Sequence, residues 1–403
     1  MSKKTINHIT VLIYAHPELY PPTLSAIEEL SQIADTIDVV TRNMLTSKWE
    51  YPSNVRVNYI NKKKYEDFEI ENISFALKII HFLKFLIMSH TLIRKNKSQI
   101  VLAYDAIPLY VAHLLKATLK KQDSLLWYHN HDVTDLSKAN YFSIMSIASR
   151  KQDRAIQDIS MFSLPSKERL EYFKNIPKEV NPIIIPNYPL KKVYSKHIKK
   201  EIKNTNTLKL VYQGSIGKGH GLESIIKILN QPINNKSLEL HLVGKIRAPY
   251  LQQLTALAKQ NAVLDRFEYH GMKPFTQLPV FLSGFDIGIA IHKPYNITYA
   301  TGGSASNKIY EYAALGLPVL LFNNEHYKLY LQNARWAFFT DLTTKSLLNA
   351  LKYMDMNWQD ISISANNDFN NIYNFENAFL ELRNLILRHK RIDNKEVVSH
   401  GLQ

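Results

Sequence analysis

Lys308 and Glu311 stand three residues apart in the run Thr301-Gly302-Gly303-Ser304-Ala305-Ser306-Asn307-Lys308-Ile309-Tyr310-Glu311-Tyr312-Ala313-Ala314-Leu315-Gly316-Leu317-Pro318-Val319. The run reads as a glycine-bearing loop, a short helix capped near Ser306, a glycine stop and a buried strand. A three-residue spacing puts the lysine and the glutamate on one helix face. A lysine in a first turn opposes the helix dipole by about 0.3 to 1 kcal/mol, so it is locally unfavourable unless an anion binds there. A diphosphate would supply that anion. Lys308, expected to be exposed at the helix start, would neutralise it; the backbone amides of Gly302, Gly303 and Ser304 would donate to its oxygens. Glu311, one turn on, could accept both hydroxyls of a ribose, with Asn307 beside them. The plainer alternative is a surface Lys–Glu pair on an ordinary helix.

A second element, Gly214-Ser215-Ile216-Gly217-Lys218-Gly219-His220-Gly221, joins an expected strand to an expected helix. Its spacing fits neither the phosphate-binding loop of nucleoside triphosphatases nor the dinucleotide fingerprint. It still offers bare backbone at Gly214, a hydroxyl at Ser215 and one cation, Lys218. Lys218 is read as a second diphosphate ligand, against the alternative of a plain flexible turn.

Both elements need a scaffold. Strand-like apolar runs occur at 9–14, 37–41, 55–59, 99–104, 124–128, 161–164 and 183–185, most followed by a helical stretch such as 24–34 or 108–119. That alternation predicts a parallel sheet covered by helices. A lysine-rich stretch, 190–207, lacks apolar periodicity and reads as a linker. The alternation then resumes, with strands expected at 208–213, 238–243, 267–269, 287–291 and 319–322 and helices at 221–230, 249–259, 275–281, 306–315 and 344–354. The fold class is therefore α/β with two Rossmann-like, doubly wound domains. The expected divisions are 1–189, a linker 190–207, a second domain 208–368, a helix 369–390 returning to the first domain, and a tail 391–403.

Composition agrees with this and removes other chemistries. The 403 residues suit two or three domains, and 45% hydrophobic residues rule out a disordered or fibrous chain. With no cysteine, disulfides, thiolate metal sites and cysteine nucleophiles are excluded. All 12 glycines lie from Gly214 onward, which points a phosphate-bearing ligand to the second half. Fifty Lys and Arg against 35 Asp and Glu leave a net charge of +15, a surface that attracts anions. The N-terminus shows no apolar signal region with a cleavage site, so export is not expected. The apolar segment 73–93 is interrupted by Lys78, His81, Lys84 and His90, and a charge near mid-bilayer costs about 2.5 to 3.5 kcal/mol. It is read as a core helix of the first domain or as a lipid-facing one, flanked by basic anchors at Lys62 to Lys64 and Arg94 to Lys97.

The two glycine-bearing elements, in this order and separation, resemble the nucleotide-sugar glycosyltransferases of family 4, whose GT-B architecture sets two Rossmann-like domains facing across a cleft. The resemblance covers nearly the whole chain and is most specific from Leu208 to Phe322. It implies that 211–218 and 307–319 hold the donor's diphosphate and ribose, and that Ile185-Pro186-Asn187 marks the domain boundary. In the first half, Trp127-Tyr128-His129-Asn130-His131-Asp132 matches the place where relatives put a histidine that reaches the donor sugar, and His131 followed by an acid fits best. The alternative is a histidine hydrogen-bonded within the core. Where relatives carry a first motif glutamate, eight residues before Glu311, this chain has Gly303.

The resemblance further implies retaining transfer of a sugar from a nucleotide diphosphate sugar to an acceptor hydroxyl, with no cofactor beyond the donor and no metal. It suggests a glycan or lipid-linked saccharide acceptor in bacterial cell-surface polysaccharide or glycolipid synthesis. The enzyme would be cytoplasmic and peripheral on an anionic inner membrane face. Two rivals are a nucleotide-sugar epimerase of the same architecture and a catalytically silent nucleotide-sugar-binding scaffold. No nucleic-acid module is recognised, so nucleic acid is not an expected partner.

Overall fold

A computed structural model describes residues 4–44, 48–65, 69–133, 140–198 and 206–400. The chain forms two compact units, one of residues 1–186 with 378–403 and one of residues 187–377. The first contains strands β1 (Ile6–Ile13), β2 (Ala34–Thr41), β3 (Val55–Tyr59), β4 (Ile100–Tyr104), β5 (Leu125–His129), β6 (Met161–Leu164) and β7 (Ile183–Ile184). Its helices are α1 (Pro21–Ser31), α2 (Phe75–Asn96), α3 (Ala106–Leu114), α4 (Lys116–Lys121) and α5 (Ile144–Ala155). The strands lie in the order β3-β2-β1-β4-β5-β6-β7, all parallel. Near-continuous apolar strands such as Ile100–Tyr104, buried at every position, are what a sheet covered on both faces requires.

The second unit opens with the short helix α6 (Lys191–Tyr194), within the stretch that the sequence suggests as a linker; residues 199–205 of that stretch lie outside the described residues. Its strands are β8 (Thr207–Gln213), β9 (Ser237–Val243), β10 (Phe267–Tyr269), β11 (Ile287–Ala290), β12 (Val319–Phe322) and β13 (Ala337–Thr340). The helices are α7 (Leu222–Ile226), α8 (Ala248–Gln260), α9 (Leu278–Leu282), α10 (Ile297–Ala300), α11 (Asn307–Ala314), α12 (Glu325–Leu331), α13 (Thr344–Met356) and α14 (Trp358–Asn371). Here the order is β10-β9-β8-β11-β12-β13, again parallel. Leu208, Leu210 and Tyr212 of β8 and Leu238, Leu240 and Leu242 of β9 alternate onto one face and share one core.

The last helix, α15 (Phe375–His400), starts in the second unit, where the Phe375 amide donates to Pro189. From residue 378 it belongs to the first unit, where Phe379 packs near Trp127 and Arg383 reaches Glu29 and Gln32. Helix α2 departs from the core-helix reading. It contacts β1 and β2 through a narrow stripe of His81, Phe85, Ser89 and Ile93, while Phe75, Leu77, Ile79, Ile80, Leu83 and Ile87 are exposed. The helix is long and apolar enough to cross a membrane, but its buried stripe holds it to the sheet.

Candidate functional site

In a doubly wound sheet the crossovers leave in opposite directions on either side of the first strand, which opens a crevice at the carboxyl ends of two neighbouring strands. In the second unit those strands are β8 and β11, and the crevice falls between Gly214, just after β8, and His292, just after β11. Gly214 has φ +102° and Gly244, at the end of β9, has φ +134°, both in the region that favours glycine. A Cβ on Gly244 would lie 2.0 Å from the Gly214 carbonyl oxygen, so the two turns are in backbone contact.

Lys308, second residue of α11, enters this crevice. Its Nζ donates to the Tyr212 hydroxyl at 2.7 Å and to His292 Nε2 at 3.2 Å, and sits 4.1 Å from the centre of the Tyr212 ring. A Cβ on Gly214 would lie 3.5 Å from its Cε, an ordinary contact, so the lysine packs directly over this turn and it is the positive φ that calls for glycine. The expectation of an exposed lysine is corrected: the stem keeps some exposure, but the amino end is enclosed. Burial pulls its pKa down to about 7, with Glu311 opposing the fall. Among the described residues no carboxylate lies within ion-pair distance of it. The polar neighbours are neutral: burial and then the lysine charge depress His220 to about 3, and burial, Lys308 and His220 depress His292. His292 Nε2 accepts from the ammonium, so Nδ1 carries the proton and donates to the Tyr327 hydroxyl at 3.0 Å, an assignment made from the hydrogen-bond network. His220 joins Tyr212 at 2.7 Å and Tyr299 at 3.1 Å.

Glu311 differs from the expected open ribose acceptor. It is 4% exposed, accepts from the Gln213 side-chain amide and lies beside the Tyr194 hydroxyl, and burial raises its pKa to about 7. Three buried side-chain acceptors of this unit have no hydrogen-bond partner: Oε1 of Gln213, whose amide meets Glu311, Oδ1 of Asn307, first residue of α11, and Oδ1 of Asn187. Asn187 is positioned by its own amide on the Ser304 carbonyl and its side chain on the Ala305 carbonyl, which ties it to the loop before α11.

The loop amides are only partly available to an anion. Gly303 N donates to His326 Nδ1 at 3.0 Å, contrary to its expected role. A Cβ at Gly303 would lie 2.7 Å from that nitrogen and one at Gly302 would lie 2.7 Å from the Tyr327 hydroxyl, so α12 presses on both glycines. Glutamate could not occupy position 303 without moving α12. Ser304 is fully buried. In the other loop, Ser215 and Lys218 are exposed; the turn is held by the Gly217 amide on His220 Nδ1 and by the Tyr212 hydroxyl on the Ser215 carbonyl. The structure thus brings Gly214 and Lys308 together, with Asn307 and Glu311 on the same helix, while the Lys218 side chain makes no hydrogen bond or ion pair among the described residues.

In the first unit His131 follows β5. It is 3% exposed, its Nε2 meets the Thr23 hydroxyl at 2.8 Å, and its ring lies between Tyr20 and Tyr104, with centroids 5.2 and 4.8 Å away. Burial, His129 and Arg169 keep it neutral. The His131 backbone amide donates to Asp105 Oδ1 at 2.8 Å. Asp105 sits directly after β4, at this unit's own reversal of strand order, with φ 65°, and burial raises its pKa to about 7. A strained, buried acid at a strand's carboxyl end is a functional signature. Sequence reasoning missed it, although its place after the run ending at Tyr104 was the available signal. His292 was missed in the same way, next to the carboxyl end of a strand, and Gln213 was covered only as part of the segment 211–218, with no role of its own. Tyr299 and Tyr327 carried no sequence signal.

No family model and no curated protein matches this chain. Solved structures do. Sucrose-phosphate synthase from Thermosynechococcus elongatus matches with a TM-score of 0.66 at 12% identity, covering 95% of this chain and 98% of its own. Anabaena HepE in complex with UDP and glucose matches with a TM-score of 0.62 at 12% identity, covering 94% and 99%. WaaG, a glycosyltransferase involved in lipopolysaccharide biosynthesis, matches at 0.58 and 12%, covering 92% and 99%. With two parallel sheets of seven and six strands, these whole-chain matches decide the architecture. The fold is GT-B. In GT-B terms, the crevice around Lys308 belongs to the second Rossmann-like unit.

Proposed function

We propose that the chain is a retaining, family 4 glycosyltransferase that moves a sugar from a nucleotide diphosphate sugar to an acceptor hydroxyl. The observation that carries this is Lys308: an enclosed amine at a strand-switch crevice, set beside a bare glycine, with neutral partners and no carboxylate counterion. A buried cation without a counter-charge is costly, and a diphosphate would remove that cost. The orphaned acceptors on Gln213, Asn307 and Asn187 want donors, which ribose and base supply. UDP is the first nucleotide to test, because HepE is seen with UDP-glucose.

In the proposed reaction the bond from the sugar's anomeric carbon to the diphosphate oxygen breaks and a bond to the acceptor oxygen forms on the same face. The acceptor proton passes to the leaving diphosphate, so no protein nucleophile is required. Lys308 stabilises the charge that grows on that diphosphate, which is the transition-state interaction that raises rate. Lys218 and Ser215, on the exposed turn, are assigned to the outer phosphate oxygens, and the amides of Gly302 and Ser304 to the same group. Glu311 acts through Gln213, orienting that amide toward the ribose. His131 is assigned to the donor sugar on the strength of the resemblance. Neither a metal nor a cofactor is required by this scheme.

The acceptor is proposed to be a glycan or lipid-linked saccharide of bacterial cell-surface synthesis, reached from the cytoplasmic face of the membrane. The exposed apolar face of α2, ending in Arg94 and Lys95, supports that placement. The test is product analysis with a panel of nucleotide diphosphate sugars, with and without acceptor. Transfer that needs acceptor supports the proposal; an altered sugar from donor alone means an epimerase, and binding without turnover means a silent scaffold.

A further inference from the structure

We propose that the second unit carries a transition-metal site of the zinc class, formed by His241, His270 and Glu268 on the edge of its sheet. In the β9–β10 ladder Glu268 stands directly opposite His241, and His270 lies two residues further on, so the period of two puts all three side chains on one face. Glu239, two residues before His241, shares that face. His241 Nδ1 is 3.0 Å from His270 Nε2 and 3.5 Å from Glu268 Oε2, and one ligand atom from each residue falls within 4.8 Å of the others. Two imidazole nitrogens bound at 2.0 to 2.1 Å to a tetrahedral ion are about 3.3 Å apart, so the cluster has nearly the spacing of an open three-ligand site with water in the fourth position.

The outer nitrogen of His241 adds a second argument. His241 Nε2 lies 3.1 Å from Glu239 Oε2, and His270 Nδ1 lies 3.5 Å from Glu268 Oε1. A ring that donates its outer N–H to a carboxylate presents a bare inner nitrogen, which is the arrangement that orients histidine on a metal. With its Nε2 turned to Glu239, His241 presents a bare Nδ1 to His270 Nε2 at 3.0 Å, and either the His270 proton or a cation fills that contact. Phe285 at 4.9 Å from the His241 ring and Phe281 at 4.9 Å from the His270 ring wall the cluster, and exposed Glu268 leaves it a path to solvent. Lys273, over the Phe281 ring, is the nearby opposing charge.

The site is separate from the proposed transfer chemistry, and its role is to clamp a three-residue edge strand. β10 is held to β9 by a short ladder, and just beyond it the Gly244 amide donates to Gly271 while the Lys245 amide donates to Gly214. A metal across His241 and His270 therefore stiffens the strand ends that carry the Gly214 turn.

Tag-free protein should be stripped with chelator, dialysed against zinc in excess magnesium, and assayed by elemental analysis, with cobalt(II) absorption as a second readout. One equivalent of zinc and tetrahedral cobalt bands are expected. His270→Ala and Glu268→Gln, at partly or fully exposed positions, should weaken binding at least tenfold while circular dichroism stays unchanged, and Glu239→Gln should cost about 10- to 100-fold. Failure of the wild type to retain zinc, or an equivalent of zinc retained undiminished in His270→Ala, would overturn the assignment. Neither result bears on sugar transfer, which is assayed separately.

Discussion

Replacing Lys308 by Ala removes the cation enclosed at the β8–β11 crevice, and with it the proposed charge-assisted contact to the donor, worth about 1.5 to 3 kcal/mol. Titration calorimetry should show roughly 10- to 150-fold weaker binding of nucleoside diphosphate, with circular dichroism unchanged. Glu311 gives a pH-dependent counterpart. Its pKa is raised from 4.5 to about 7 by burial, so between those values the folded state keeps a proton that the unfolded state releases. Stability relative to Glu311→Gln should therefore fall as pH rises from 4.5 to 7 and stay level above it. A difference that ran the other way in thermal melts would mean that the carboxylate is ionised in the fold. His131→Ala should reduce turnover at least tenfold while leaving diphosphate affinity within a few-fold, as for a group that meets the sugar and not the phosphates. Equal losses in both would reassign His131 to packing between Tyr20 and Tyr104.

Helix α2 is the element whose function is most open to test. With Ile87 64% and Phe75 60% exposed, its outer face offers apolar area to a bilayer, and each basic residue near an anionic leaflet adds about 1 kcal/mol. Flotation with anionic vesicles should show binding that Leu83→Glu with Ile87→Glu abolishes without unfolding the protein. Screening lengths fall from about 10 Å at 0.1 M salt to about 3 Å at 1 M, so binding that persists at high salt reports apolar insertion and binding that vanishes reports charge. Equal binding to neutral and anionic vesicles, or none to either, would contradict an anionic docking surface. Among the turns, Gly244→Ala would place a methyl 2.0 Å from the Gly214 carbonyl, so it should lower the melting temperature by several degrees and weaken donor binding together.

At the scale of the whole molecule, the alternation of apolar runs with helical stretches made the two parallel sheets legible. Strands such as Val55–Tyr59, Met161–Leu164 and Val319–Phe322 lie where their composition places them. Strand β13 was missed because Ala337–Thr340 is short and half-buried, without a buried run's signature. The outline of the candidate site was legible too, in Gly214, Lys308 and Glu311. Its electrostatics were not. Whether a lysine at a helix start is exposed depends on Tyr212 and His292, 96 and 16 residues away, and local spacing contains no such information. Glu311 was likewise expected to be open to a ribose, but the buried Tyr194 and Gln213 close over it.

The measurement that tests the central claim most directly is calorimetry of UDP binding at about pH 8, repeated in buffers of different ionisation enthalpy. With a pKa near 7 in the free protein, Lys308 is mostly neutral at that pH, and a diphosphate beside it must restore the ammonium. The account predicts net proton uptake close to one per bound nucleotide in the wild type, shrinking toward pH 6 and absent in Lys308→Ala. Binding without proton uptake, or the same uptake in Lys308→Ala, would contradict a diphosphate at Lys308.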